Sequence, residues 1–259
     1  DLGQTGDGID TTIDRIFATR VQSINTAIGI AAGSSHACVL LSDKTVKCWG
    51  ENQNFQLGNE TSKIETMPIL VQGIPPIKQI NSGSNHTCAL SETGFAYCWG
   101  DNKFGQLGIG NMQILKSKPS VVLGVKKVTN IQMGYNSSCA SSEGTGFSCW
   151  GWGIDGQLAE TDRFNRSLPV PMTLSTITES ATALVAISLG RTKSCGLLNS
   201  ARSNLMYCWG TTVSTDPVSG SSATSVSLGN DHGCLVTTTG TVQCWGWNHK
   251  GQLGLGTTS

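Results

Sequence analysis

The sequence predicts an all-β protein assembled from about five repeated units, and three observations carry that prediction. The tripeptide Cys-Trp-Gly recurs, beginning at Cys48, Cys98, Cys149, Cys208 and Cys244. A second phrase precedes each copy: GSSHAC from Gly33, GSNHTC from Gly83, GYNSSC from Gly134, GRTKSC from Gly190 and GNDHGC from Gly229. Between the two phrases lie short runs rich in strand formers and broken by turn residues, a period that marks a repeat architecture. Helical periodicity is nearly absent.

Each unit reads as a hairpin. Ala37-Cys38-Val39-Leu40-Leu41 and Thr45-Val46-Lys47-Cys48-Trp49 flank the turn Ser42-Asp43-Lys44, and Ser91-Glu92-Thr93-Gly94 and Thr238-Thr239-Gly240 repeat it with a Gly suited to positive φ. The units centre on hairpins 33–50, 83–100, 134–151, 190–210 and 229–246 of one repeat domain spanning 1–259. The segment Asp10 to Val21 has an apolar spacing that suits a helix but is short for an isolated one, and it reads as linker or edge strand. Leu2-Gly3-Gln4-Thr5-Gly6-Asp7-Gly8 looks like the second half of a unit, while Cys244 to Gly254 reads as a first half. Residues 1–30 are therefore expected either to complete the last unit or to contact a neighbouring molecule.

The ten cysteines fall into five pairs, one per unit. Cys38 and Cys48, Cys88 and Cys98, Cys139 and Cys149, and Cys234 and Cys244 are each separated by nine residues, and Cys195 and Cys208 by a longer polar tip. A hairpin turn at the midpoint sets the two sulfurs opposite each other at a Cα separation of about 5 Å, which a disulfide accepts. The alternative is ten reduced cysteines packed as small hydrophobes. Zinc is disfavoured, because structural sites use closely spaced cysteine halves that this chain lacks. The even count and the geometry favour disulfides, and with them an oxidising compartment. Four Asn-x-Ser/Thr sequons, at Asn59, Asn85, Asn136 and Asn165, agree with that compartment and mark candidate N-glycan sites.

Composition excludes several partners. With 17 basic and 17 acidic residues, the chain has neither the cationic footprint of a nucleic-acid binder nor a polybasic membrane patch. Its uninterrupted apolar runs fall short of the ~18 residues that a spanning helix needs, so no membrane insertion is expected. No nucleophile–base pair, carboxylate dyad or phosphate loop stands out, so no catalytic residue is assigned.

The pattern Gly-x-x-His-x-Cys, a hairpin, then Cys-Trp-Gly-x-Asn-x-x-Gly-Gln-Leu-Gly resembles the regulator of chromosome condensation repeat. The resemblance covers nearly the whole chain and is specific in units one, two and five, which read CWGENQNFQLG, CWGDNKFGQLG and CWGWNHKGQLG. Unit three reads Gln157-Leu158-Ala159 where the family has Gln-Leu-Gly, and unit four runs from Trp209-Gly210 into Thr211-Thr212-Val213-Ser214 without that turn. The resemblance implies a β-propeller of four-stranded blades, about five here where the family usually has seven, and no cofactor or metal. In that fold Trp49, Trp99, Trp150, Trp209 and Trp245 are wedges between neighbouring sheets, each burying on the order of 200 Å². His36, His86 and His232 share one repeat position and are expected to tie a local loop by hydrogen bonding. Trp152 and Trp247 lie outside the pattern and are the candidate exposed binding residues.

Family members include an exchange factor for a small nuclear GTPase and an inhibitor of β-lactamase, so the fold is a platform whose loops choose the partner. The expectation is a non-catalytic extracellular or cell-surface glycoprotein, a structural subunit of a coat or filament whose protein partner could be itself, head to tail. The alternative is a secreted or surface-displayed adhesin or inhibitor presenting loops to a protein or carbohydrate. A nucleotide exchange factor is disfavoured, since five disulfides do not suit a reduced compartment.

Overall fold

The computed structural model describes residues 2–9, 17–112, 115–160, 162–172, 183–199, 204–211 and 222–258. Most of the segment from Asp10 to Val21 lies outside them. Among the described residues eighteen strands form five antiparallel meanders, and no helix occurs. Blade one comprises β1 (Ala27–Ala32), β2 (His36–Leu41), β3 (Val46–Gly50) and β4 (Glu65–Leu70). Blade two comprises β5 (Ile77–Ser82), β6 (His86–Ser91), β7 (Ala96–Asp101) and β8 (Leu115–Val121). Blade three comprises β9 (Val128–Met133), β10 (Ser137–Ser142), β11 (Gly146–Gly151) and β12 (Arg166–Pro171). Blade four holds β13 (Ala183–Leu189), β14 (Lys193–Asn199) and β15 (Asn204–Gly210), and blade five holds β16 (Ala223–Leu228), β17 (His232–Thr237) and β18 (Val242–Gly246).

Four strands per blade are thus found in the first three blades and three strands in the last two, among the described residues. The chain forms two compact bodies. Asp1–Gly151 with Asn165–Val170 carries blades one to three, and Trp152–Phe164 with Pro171–Ser259 carries blades four and five.

The hairpins form as their sequences require. Around the tips of blades one, two and five the backbone makes the same bond, Lys44 N to Leu41 O, Gly94 N to Ser91 O and Gly240 N to Thr237 O, at 2.9, 3.0 and 3.0 Å. The left-handed position is glycine twice, but Lys44 takes it in blade one at φ 69°. The midpoint turn brings each cysteine pair into cross-strand register: Cys38 with Cys48, Cys88 with Cys98, Cys139 with Cys149, Cys195 with Cys208, and Cys234 with Cys244. All five are disulfides with Cα separations of 4.0 to 4.1 Å, shorter than the expected spacing because they occupy the narrow class of antiparallel pair. No cysteine is free.

The apolar core lies in the seams. Leu40, Val46, Leu57 and Val71 of blade one close on Ile77, Ile80, Ala89 and Trp99 of blade two. Leu90, Ala96, Leu107 and Val122 of blade two close on Val128, Ile131, Ala140 and Trp150 of blade three. In the second body Leu197 and Met206 of blade four meet Ala223, Leu235 and Trp245 of blade five. One face of a sheet cannot bury itself, so each repeat is stabilised by its neighbour, as in other one-dimensional repeat arrays.

Candidate functional site

A polar relay recurs at Trp99, Trp150 and Trp209. In blade two the Trp99 indole N–H donates to the backbone carbonyl of Gln56, one repeat earlier, at 2.9 Å. The Thr87 hydroxyl donates to the same carbonyl at 3.0 Å. Because that hydroxyl spends its one proton on Gln56, it accepts from His36, whose Nε2 lies 2.9 Å away and carries the proton of this bond. Blade three repeats the arrangement: Trp150 and Ser138 both donate to the Gln106 carbonyl at 2.8 Å, and His86 Nε2 donates to Ser138 at 3.0 Å. In the second body Trp209 and Ser194 both donate to the Gln157 carbonyl at 2.9 Å.

The histidines were expected to tie loops locally. Instead His36 and His86 reach across a seam to the next blade, because β2 and β6 turn these rings toward the neighbouring sheet, where each meets a hydroxyl. Burial pushes His36 down to about 4 and His86 down to about 3, the latter helped by His36 nearby. His232 is half-buried and lines an open cleft. Among the described residues no group of three His, Cys, Asp or Glu is arranged to hold a metal.

Two glycines make the relay possible. At Gly100, φ is +102° and a Cβ would stand 2.6 Å from the carbonyl of Asn85; at Gly108, φ is +68° and a Cβ would stand 2.8 Å from Trp150 Nε1. The Gln-Leu-Gly turn itself is held by an asparagine. Asn52 accepts from Leu57 N at 3.0 Å and Asn102 from Leu107 N at 3.1 Å, so the Asn of the repeated phrase fixes the turn that offers its carbonyl to the next Trp.

In the N-terminal segment the Gln4 carbonyl accepts from Trp49 Nε1 at 2.9 Å. Val21 and Ile24 add an apolar cover to Ala37, Val39, Leu41 and Trp49.

The relay stops at blade five. Trp245 is half-buried, and with Gly190, Lys193, Leu228, Asp231, His232 and Trp247 it lines a cleft of about 320 Å³ between blades four and five. Trp247 is 60 % exposed, its ring edge-on to His249 with centroids 5.2 Å apart. Trp152, the other candidate, is half-buried and donates from Nε1 to Asp155 at 2.7 Å, outside the residues of this cleft. The sequence offered no signal for the cleft except the missing Gln-Leu-Gly of unit four.

The sequons are placed unequally. Asn85 and Asn136 are half-buried at matching positions, and their hydroxyl residues Thr87 and Ser138 are wholly buried in the seams, so these two triplets have a structural reason to exist. Asn59 braces its own loop, accepting from Asn52 at 2.8 Å and donating to Glu65 at 3.2 Å. Asn165 is half-buried just ahead of β12.

Comparison with known proteins agrees with the geometry. Models of the regulator of chromosome condensation (RCC1) repeat match residues 27–56, 77–106 and 223–252, and residues 45–90 and 93–141. The chain is 30 % identical over 147 residues to the ultraviolet-B receptor UVR8 of Arabidopsis thaliana, covering 51 % of this chain and 32 % of that protein. Its fold is similar to yeast RCC1 (Prp20), solved bound to Kap60, with a TM-score of 0.74 at 21 % identity, covering 89 % of this chain and 58 % of the other. The CRINKLY WD40 ectodomain of the Arabidopsis thaliana receptor kinase ACR4 is also similar, with a TM-score of 0.54 at 23 % identity over 87 % of this chain and 66 % of the other. The chain thus spans about a third of UVR8 and less than two thirds of the two structures. With the repeat matched across three blades of the first body and again in blade five, and with its Trp and Gln-x-Gly serving as seam contacts, this chain, a β-propeller with one disulfide per blade, belongs to the regulator of chromosome condensation (RCC1) repeat family.

Proposed function

We propose that this chain is a non-catalytic binding propeller that works outside the cell or at its surface and recognises protein partners. The observation that carries the reading is the set of five disulfides, one in each hairpin and at one register position, which uses every cysteine of the chain. Such a pattern is the product of an oxidising compartment and is not maintained against cytosolic thiols. It also disfavours an intracellular exchange factor. The likeness to a receptor-kinase ectodomain supports the location, and the binding of Prp20 to Kap60 supports a protein partner. The sequons at Asn59, Asn85, Asn136 and Asn165 are the candidate glycan sites, and Trp247, ahead of Trp152, is the candidate contact residue, since large exposed aromatics dominate recognition surfaces.

A second reading is a subunit of a surface coat or filament, in which the protein partner is another copy of the chain.

Labelling of intact cells of the source organism with an antibody to the folded chain, beside cytosolic and secreted fractions, tests the location; recovery of the chain only from cytosol, with reduced cysteines, rules it out. Crosslinking on the labelled cells then separates the readings, giving a foreign protein for a binding module and a ladder of the chain itself for a coat.

A further inference from the structure

Blades four and five meet at two loops written with the same repeat phrase, 190–193 and 229–232. Each is closed by one backbone bond, Gly190 N to Lys193 O at 2.8 Å and Gly229 N to His232 O at 2.9 Å. The loops touch at their glycines. A Cβ at Gly190 would stand 2.8 Å from the Gly229 carbonyl, and one at Gly229 would stand 2.6 Å from Cε1 of His232, whose ring therefore lies against that loop. Trp247 N donates to the Asp231 carbonyl at 2.9 Å, which ties the third wall to the second. Trp245 packs against the apolar cluster of Leu197, Met206, Ala223 and Leu235 that joins the two blades. The cleft is thus a formed concavity in an internal seam, with its walls drawn from both blades.

Its lining combines indole surface with polar groups of both kinds. Trp247 is 60 % exposed. Trp49, Trp99, Trp150 and Trp209 each donate their N–H to a backbone carbonyl, but among the described residues no acceptor reaches that of Trp245. Asp231 accepts, Lys193 donates, and Asn230 and His232 can each do both. The two charges decide against ionic ligands: an anion meets Asp231 and a cation meets Lys193, and like charges brought together are costly. The volume of about 320 Å³ stands at the lower end of the roughly 300–1,000 Å³ of ordinary ligand pockets, which suits one or two small rings and not a folded element.

We propose that this cleft binds a neutral pyranose of a glycan carried by the partner protein. A pyranose ring is apolar on its C–H face, which the negative face of an indole attracts, and each of its hydroxyls both donates and accepts. Trp247 is the stacking surface. A sugar oxygen accepts from Trp245 Nε1–H in the role that a backbone carbonyl plays for the other four indoles, while Asp231 and Lys193 bond neighbouring hydroxyls.

The proposal rests on the reading of the chain as a binding propeller and names what that propeller recognises. The oxidised protein is titrated with cellobiose, lactose, mannobiose and N,N′-diacetylchitobiose to about 20 mM, with acetate and methylammonium as charged probes, while the Trp245 and Trp247 indole N–H resonances are followed. The expected result is that at least one disaccharide moves both resonances with a Kd of about 1 mM, and that neither charged probe does. Trp247→Ala, at an exposed position, is expected to weaken that binding at least about tenfold. Asp231→Asn, which keeps the side-chain shape and removes the charge, is expected to weaken it about fivefold. No response to any of the four sugars, an equal response to a charged probe, or undiminished binding by both variants overturns the proposal. Enzymatic removal of glycans from a captured surface protein separates the two readings: capture lost with the glycans supports the sugar site, whereas capture that survives keeps the binding propeller and ends this proposal.

Discussion

The indole N–H of Trp150 donates to the backbone carbonyl of Gln106 at 2.8 Å, joining blade three to the turn written one repeat before it. Both the ring and the turn are fully buried. Trp150→Ala is expected to remove the wedge and leave a cavity, lowering stability by about 3–5 kcal/mol. Trp150→Phe keeps most of the wedge, and Ser138 still donates to the carbonyl, so the loss from the missing hydrogen bond is only about 1 kcal/mol beyond the change in packing. Denaturant unfolding of the two variants measures the difference.

His36 and His86 make stability depend on pH. Both are held neutral in the folded chain, at about 4 and about 3, against an ordinary value of 6.5. Below pH 6.5 the unfolded chain takes up protons that the folded chain refuses, so stability is full above that pH and falls as the pH drops toward 4. The slope is at most about 1.4 kcal/mol per pH unit for each histidine. Unfolding of the wild type and of His36→Gln/His86→Gln at pH 7 and pH 5 tests this; the doubly substituted chain is expected to lose most of that slope.

Removal of one hairpin disulfide is expected to weaken the chain without changing its fold. The Cys88–Cys98 bridge closes a loop with a sequence separation of 10, and replacing both cysteines by serine costs about 2–3 kcal/mol. Far-ultraviolet circular dichroism of the Cys88→Ser/Cys98→Ser chain should match that of the wild type, while its unfolding midpoint falls.

At the third turn of the relay Ala159 occupies the left-handed position, at φ 61°, that Gly58 and Gly108 take in the other blades. An L-residue there is strained, so Ala159→Gly is expected to stabilise the chain by roughly 1 kcal/mol. Gly108→Ala has the opposite sign and is larger, because its Cβ would press on Trp150 Nε1 and, at 2.9 Å, on Val122. Thermal unfolding of the pair gives both signs in one experiment.

The repeat count, the hairpins and the cysteine pairing were legible in the sequence because each depends on local features: a turn at a midpoint, alternation of strand residues, and a fixed offset between two sulfurs. The seam chemistry was less legible. The acceptor that joins the blades is a backbone carbonyl, so Gln56, Gln106 and Gln157 do not advertise it through side-chain identity, and the reach of His36 to Thr87 depends on where the next sheet lies. Trp152 and Trp247 occupy the same position after Cys-Trp-Gly, yet an aspartate three residues on secures Trp152 while Trp247 stands open. The cleft was written in the sequence as an omission, the turn that unit four lacks.

The most direct test of the account is disulfide mapping of the non-reduced native protein by peptide mass spectrometry, with free thiols blocked at lysis. The account predicts five within-blade pairs, Cys38–Cys48, Cys88–Cys98, Cys139–Cys149, Cys195–Cys208 and Cys234–Cys244, and no blocked thiol. Free cysteines in the native protein, or pairs that cross from one blade to another, would contradict both the repeat register and the extracellular reading built on it.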